Sequence, residues 1–193
     1  MTLVRRITIL PLGDPPPPSR LLKELADVLQ QRLGVRTRVA RRAPEQPEWV
    51  AAPGRYRSNV IVDWMIDRAP GDAGAAGQWT LAVCTADLEA PGRSFVFGEA
   101  AFGGAWALVS TARLGEGGGD GEDRETRLLR RLATEALHEL GHVAALVHCD
   151  VPGCAMAPAA DLAALDGKDP AFCRRCAIRL TENSGLDPRN PKH

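Results

Sequence analysis

Residues 4–10 alternate apolar and polar side chains with the period of two expected of a strand, a run that stops at Pro11. Pro15 to Pro18 follow and read as a stiff exposed turn. From Arg20 to Leu33, the residues Leu21, Leu22, Leu25, Val28, Leu29 and Leu33 fall on one helical face, with Ser19 placed to cap the start and Gly34 to stop the end. Val35 to Val39 alternates again and predicts a second strand. Ala43 to Gly54 holds three prolines and reads as a loop. After Tyr56, apolar residues at Val60, Ile61, Trp64 and Met65 have helical spacing, against the local β preference of Val60-Ile61-Val62. Gly71 to Gly77 reads as a loop, Trp79 to Cys84 as a buried strand, and Phe95–Phe97 and Ala105–Ser110 as two more strands. Gly115 to Gly121 is a second glycine-rich loop. The strongest helix spans Glu122 to about Ala144, where Leu128, Leu129, Leu132, Ala133, Ala136, Leu137 and Leu140 keep the 3.6-residue period. Beyond His148 periodicity fades, leaving short helices at Asp161–Leu165 and Ala177–Leu180. Alternating strands and helices, then an irregular tail, predict an α/β-like half and a smaller lobe.

Composition narrows the classes. A chain of 193 residues suits a single domain that buries a core without disulfide staples. Lys+Arg and Asp+Glu are both 24, so nothing predicts a nucleic-acid or membrane partner. The basic residues are 21 Arg and three Lys, a bias of genomic base composition rather than function. No stretch nears the ~20 apolar residues of a membrane span, and the apolar run at the N-terminus is too short for a signal peptide. The expectation is a cytoplasmic monomer.

The chemistry is concentrated. Of four His, three lie between His138 and His148, and of five Cys, four lie between Cys149 and Cys176. His138-Glu139-Leu140-Gly141-His142 fits H-E-x-x-H on the strong helix. Histidines four apart share a helical face and can reach one zinc, while Glu139, about 100° round, can address a metal-bound water instead. On a continued helix His148 would stand roughly 9 Å above His142 and about 240° away. The chain therefore turns after Ala144, or His148 is not a ligand and another group, for instance Asp150, takes its place. Cys149, Cys154, Cys173 and Cys176 read as a closed tetrathiolate zinc site, with free thiols, two disulfides or an iron–sulfur cluster as alternatives. Arg174 and Arg175 would offset its charge. Cys84 has no partner by spacing and reads as a small core residue.

His138-Glu139-x-x-His142-x-x-Ala145-x-x-His148-Cys149, Cys154-Ala155-Met156 and Cys173-x-x-Cys176 together resemble archaemetzincins, a branch of the metzincin zinc peptidases. Segments Ser94–Ala100 and Ala107–Leu114 are also similar to that family, so the resemblance covers about residues 79–176. It implies an α+β, metzincin-like fold: a mixed twisted β-sheet with backing helices and an active-site helix over 1–144, then a small irregular lobe over 145–193. It further implies that His138, His142 and His148 bind a catalytic zinc, that Glu139 is the general base, and that Met156 is the methionine beneath the imidazoles. The plain reading of Met156, a side chain filling a core gap, stays open. Two zinc ions per chain and a peptide or protein substrate, held along an edge strand near Ser94–Gly98, complete the implied picture. Two departures stand out. Metzincins have Gly where this chain has Ala145, a left-handed position where Ala costs roughly 1–2 kcal/mol. The loop from Ala157 to Phe172 is also one residue shorter than the family spacing. Tyr56 is the only tyrosine, so none follows Met156 to steady an oxyanion. The competing readings are a zincin with a non-His third ligand and an inactive zinc-stabilised module that binds peptide or protein.

Overall fold

The computed structural model describes residues 3–40, 55–68, 76–117 and 121–188. In chain order its elements are β1 (Arg6–Leu12), α1 (Ser19–Leu33), β2 (Arg36–Val39), β3 (Arg55–Arg57), α2 (Ser58–Arg68), β4 (Gln78–Cys84), β5 (Asp87–Ala90), β6 (Arg93–Val96), β7 (Gly98–Ala100), β8 (Trp106–Ser110), α3 (Arg124–Val143), α4 (Leu162–Asp166) and α5 (Arg174–Ser184). The main sheet has the order β2-β1-β4-β8-β7. Its first four strands are parallel, and β7 alone runs antiparallel to β8. A small sheet, β3-β5-β6, stands beside it.

The period of two sorts the central strands into two cores. Ile7, Ile9, Leu81, Val83, Ala107 and Val109 face α1 and α3. Leu10, Leu12, Ala82, Cys84, Trp106 and Leu108 face α2 through Ile61, Val62 and Met65. Both faces are covered, which is why these strands read as near-continuous apolar runs. Cys84 is buried among them, as its lack of a partner implied. Pro11 does not end β1 as expected; it lies past the last β1–β2 pair, Ile9 with Val39, where one side of the strand needs no donor.

Helix boundaries follow local chemistry. Gly34 stops α1 in the left-handed conformation, its N–H donating to Gln30 O at 3.0 Å. Ser19 is not the cap: α1 begins on it, after Pro18, with no side-chain cap bond. Asp123 caps α3 by accepting from the backbone N–H groups of Glu125 and Thr126. The helical spacing after Tyr56 prevails over β propensity in α2, and α5 extends well beyond the Ala177–Leu180 expected of it. The strand expected at Phe95–Phe97 is two: β6 pairs with β5, and the chain crosses at Phe97 into β7 of the main sheet. The loops expected over 43–54 and 71–75, and positions 118–120, lie outside the described residues. No helix among the described residues is long and apolar enough to cross a membrane.

The tail after α3 shares the core of the main sheet. Cys149, Cys154, Met156, Leu165, Phe172 and Leu180 belong to the cluster that holds Ile9 and Leu137. Polar pins reinforce it: Arg131 binds Asp166 through Nε at 2.7 Å and donates to Leu114 O and Glu116 O. Lys168 Nζ lies 3.1 Å from Glu135 Oε1, with the two side chains only 3% and 5% exposed. Burial pushes the Glu135 carboxyl above its ordinary range and Lys168 pulls it back in part. Removing one partner of such a buried pair leaves an uncompensated polar group, at about 3–5 kcal/mol. Lys168→Met should show that loss in urea unfolding, whereas Arg20→Ala, which breaks the exposed Arg20–Glu24 pair, should leave the midpoint unchanged.

Candidate metal centre

Helix α3 carries His138, Glu139 and His142 on its inner side, and the chain then reverses within three residues. Ala145 has φ 60°, its N–H donates to His142 O at 2.9 Å, and Leu146 N–H donates to Gly141 O at 2.9 Å. This is a Schellman turn with Ala where Gly is favoured, the left-handed position that the family resemblance implied for Ala145. The turn brings the His148 ring to 5.2 Å from that of His138 and 5.0 Å from that of His142.

Second contacts orient the imidazoles. His138 Nδ1 donates to Ala155 O at 2.8 Å and His142 Nδ1 to Leu146 O at 2.7 Å, since a carbonyl can only accept. Each Nε2 is then a bare lone pair, and the two lie 3.1 Å apart. Two nitrogens held by one zinc at tetrahedral geometry would be about 3.3–3.4 Å apart. One ring nitrogen from each of the three histidines falls within 4.8 Å of the others. Burial lowers the pKa of all three, His138 to about 2, so each ring is in the neutral form that binds metal. The residues therefore fit a zinc ion. Asp150 does not join them; it is exposed and pairs with Arg175.

Met156 is fully buried against Gly141 of α3, and its backbone carbonyl accepts from Cys149 N–H at 2.9 Å. A Cβ on Gly141 would meet the Met156 Sδ at 2.3 Å, so the bare helix surface at Gly141 is what admits the methionine. Cys149, Cys154, Cys173 and Cys176 are all buried, with their sulfurs within 4.8 Å of one another. The Cys149 and Cys173 sulfurs stand 3.8 Å apart, the separation of two thiolates on a tetrahedral zinc and far from a disulfide bond. Backbone N–H groups of Val151 and Cys173 point at the sulfurs of Cys149 and Cys154. Arg175 donates to Cys149 Sγ at 3.4 Å; of the two arginines expected here, it is the one that reaches a sulfur.

The imidazoles open into a cleft of about 720 Å³ between β6–β7, Phe102 and the segment Pro158–Ala160. Glu139 lies on its wall with the carboxyl raised well above the ordinary range, by burial first and then by Glu135 and Glu99, against Lys168. Glu99, Phe102 and Glu135 line the cleft although sequence reasoning passed over them. Glu135 had a visible signal, an acid one helical turn before Glu139 on the same inner face. Glu99 had only its place inside the family-like segment Ser94–Ala100, and Phe102 its place two residues after it.

A model of the family described as Peptidase family M54 matches residues 72–182. This chain belongs to that family. The M54 chain is 32% identical over 176 residues to an archaemetzincin of Methanopyrus kandleri, covering 89% of this chain and 92% of the relative. The crystal structure of the M. kandleri archaemetzincin superposes with a TM-score of 0.72 at 30% identity, over 94% of this chain and 95% of that one. The archaemetzincin of Archaeoglobus fulgidus, solved with malonate, gives a TM-score of 0.71 at 30% identity, over 90% and 99%. The M54 chain is thus a zinc metallopeptidase of α+β, archaemetzincin-like fold that acts on peptide substrates.

Two substitutions of opposite sign test the local packing. Ala145→Gly relieves a left-handed alanine and should raise stability by about 1 kcal/mol, a melting-temperature gain of about 2–4 °C. Gly141→Ala would stabilise an ordinary helix by about 1 kcal/mol. Here it drives a methyl into Met156 and should instead destabilise by about 1–3 kcal/mol in the same calorimetric scan.

Proposed function

We propose that His138, His142 and His148 hold a catalytic zinc, that Glu139 is the general base of peptide-bond hydrolysis, and that Cys149, Cys154, Cys173 and Cys176 hold a second, structural zinc. One observation carries this reading: three neutral, oriented imidazoles open onto a cleft whose wall carries the carboxyl of the residue next to the first of them. Holding a metal needs only the imidazoles. A carboxyl kept beside them and outside the ligand set has a use when a proton must be moved.

Zinc, when bound, supplies Lewis acidity that acidifies water and polarises the peptide carbonyl. Glu139 takes the proton of the attacking water and later delivers it to the leaving amine. Burial raises the proton affinity of its carboxylate, which makes the ionised group a stronger acceptor for that proton. The bonds from His138 and His142 to Ala155 O and Leu146 O stop their rings from turning. Strand β7 is the last strand of the main sheet, and an extended peptide adds to its outer edge. Met156 supports the imidazoles from below through its contact with Gly141. In this reading 1–144 forms the upper subdomain and 145–193 the lower, joined by one core.

Elemental analysis of the purified protein should give about 2 equivalents of zinc. One equivalent should survive the double change His138→Ala with His142→Ala, and one should be lost in His148→Ala. A single equivalent in the unmutated protein would remove one of the two assignments. Glu139→Gln should keep both ions yet cleave a peptide library at least ~100-fold more slowly. Cleavage that persists in this variant would sink the mechanism, and an inert wild type with both ions bound would favour a binding module. Cys173→Ser should lower the melting temperature much more than His142→Ala, since the sulfur cluster sits inside the shared core.

A further inference from the structure

Gly98 opens β7, where it pairs with Val109 of β8. Its φ is not in the left-handed region, so backbone conformation is not what calls for glycine. Space is. A Cβ at this position would stand 2.7 Å from Glu139 Cγ, 2.8 Å from Glu139 Oε1 and 2.6 Å from Leu108 O, all closer than real Cβ contacts allow. The Glu139 side chain therefore lies directly on the backbone of the edge strand.

Among the described residues no hydrogen bond holds the Glu139 carboxyl; the groups that act on it, Glu135, Glu99 and Lys168, do so at a distance through charge. A Glu side chain has three rotatable bonds, and with no polar partner its placement is set by packing. On the strand side that packing surface is Gly98. Glu99, the next residue, is held differently, because Ser58 Oγ donates to its Oε2 at 2.7 Å from the α2 side of the sheet. Along β7 the bare position thus lies against Glu139, while the carboxyl of the next residue is tied to Ser58.

We propose that Gly98 is a positioning residue for Glu139: its missing side chain is the seat that fixes the carboxyl beside the three imidazoles. The functional half of this rests on Glu139 being the base, whereas the contact itself does not. A side chain at 98 moves either the carboxyl or β7. A displacement of about 1 Å at a reacting group can lower the rate by about 100-fold without weakening substrate binding.

The test is a four-member set measured on the zinc-loaded protein: wild type, Gly98→Ala, Glu139→Ala and the double variant. Gly98→Ala should lower the melting temperature by about 4 °C or more, and by less than half as much when Glu139 is already Ala. Equal losses in the two backgrounds would place the clash on Leu108 O alone and overturn the proposal. If Gly98→Ala fails to fold, a folded double variant supports the seat and an unfolded one overturns it. In activity, Gly98→Ala should lower kcat by about 10–100-fold with unchanged zinc content and KM within about twofold. A raised KM with kcat intact would show a role in holding substrate and overturn the positioning role. An inactive wild type with the stability coupling intact would overturn the peptidase reading and still support the seat.

Discussion

A helix can supply two imidazoles to one point in space, at i and i+4, but not a third six residues further on. The geometry of the histidine cluster follows from the way the chain meets that constraint. It leaves α3 through a left-handed residue, and the reversal delivers His148 to the open side of the pair. The same reversal places Leu146 O under His142 and sets Cys149 against Met156 O. Ala145 carries the strain of that turn, and the contacts it makes possible offset it. Asn183, from α5, donates to Ala144 O at 2.7 Å, so the last helix braces the turn as well.

Burial then determines the chemistry of what the turn assembles. His138 and His142 are kept neutral because the core side of α3 excludes water, and the Glu139 carboxyl is raised first by the same burial. Three acids, Glu99, Glu135 and Glu139, line one cleft, and each is managed in its own way: by a serine hydroxyl, by a buried lysine and by bare backbone. The sulfur cluster lies in the same apolar core as the sheet, so the segment after α3 is fastened to the sheet by packing.

The sequence exposed those parts that rest on period or spacing. α1, β1, β4, β8 and α3 repeat one pattern for long enough to be read, and the His and Cys residues stand out because both types are scarce. Helix geometry narrowed the question at Ala145 to two answers, a reversal or a different third ligand, and the structure shows the reversal. What stayed hidden depends on distant partners. β3, β5 and β7 are three or four residues long, too short for a period, and Phe97 joins two sheets in what reads as one strand. Lys168 and Glu135 are 33 residues apart, and neither predicts the other. The need for glycine at 98 comes from a side chain on α3, which nothing near Gly98 in the sequence announces.

The shortness of β7 has a consequence for selectivity. Phe97 O accepts from Ser110 N–H and Ala101 N–H donates to Trp106 O, so these residues turn inward to β8, and antiparallel alternation turns Glu99 inward with them. Gly98 and Ala100 alone present their N–H and C=O groups outward, a span of about 7 Å. At roughly 0.5–1.5 kcal/mol for each hydrogen bond, four such groups grip any extended backbone weakly and without regard to sequence. In the proposed strand addition, discrimination among peptides would therefore rest on side-chain contacts along the cleft, whose lining includes Phe102 and Pro158 to Ala160.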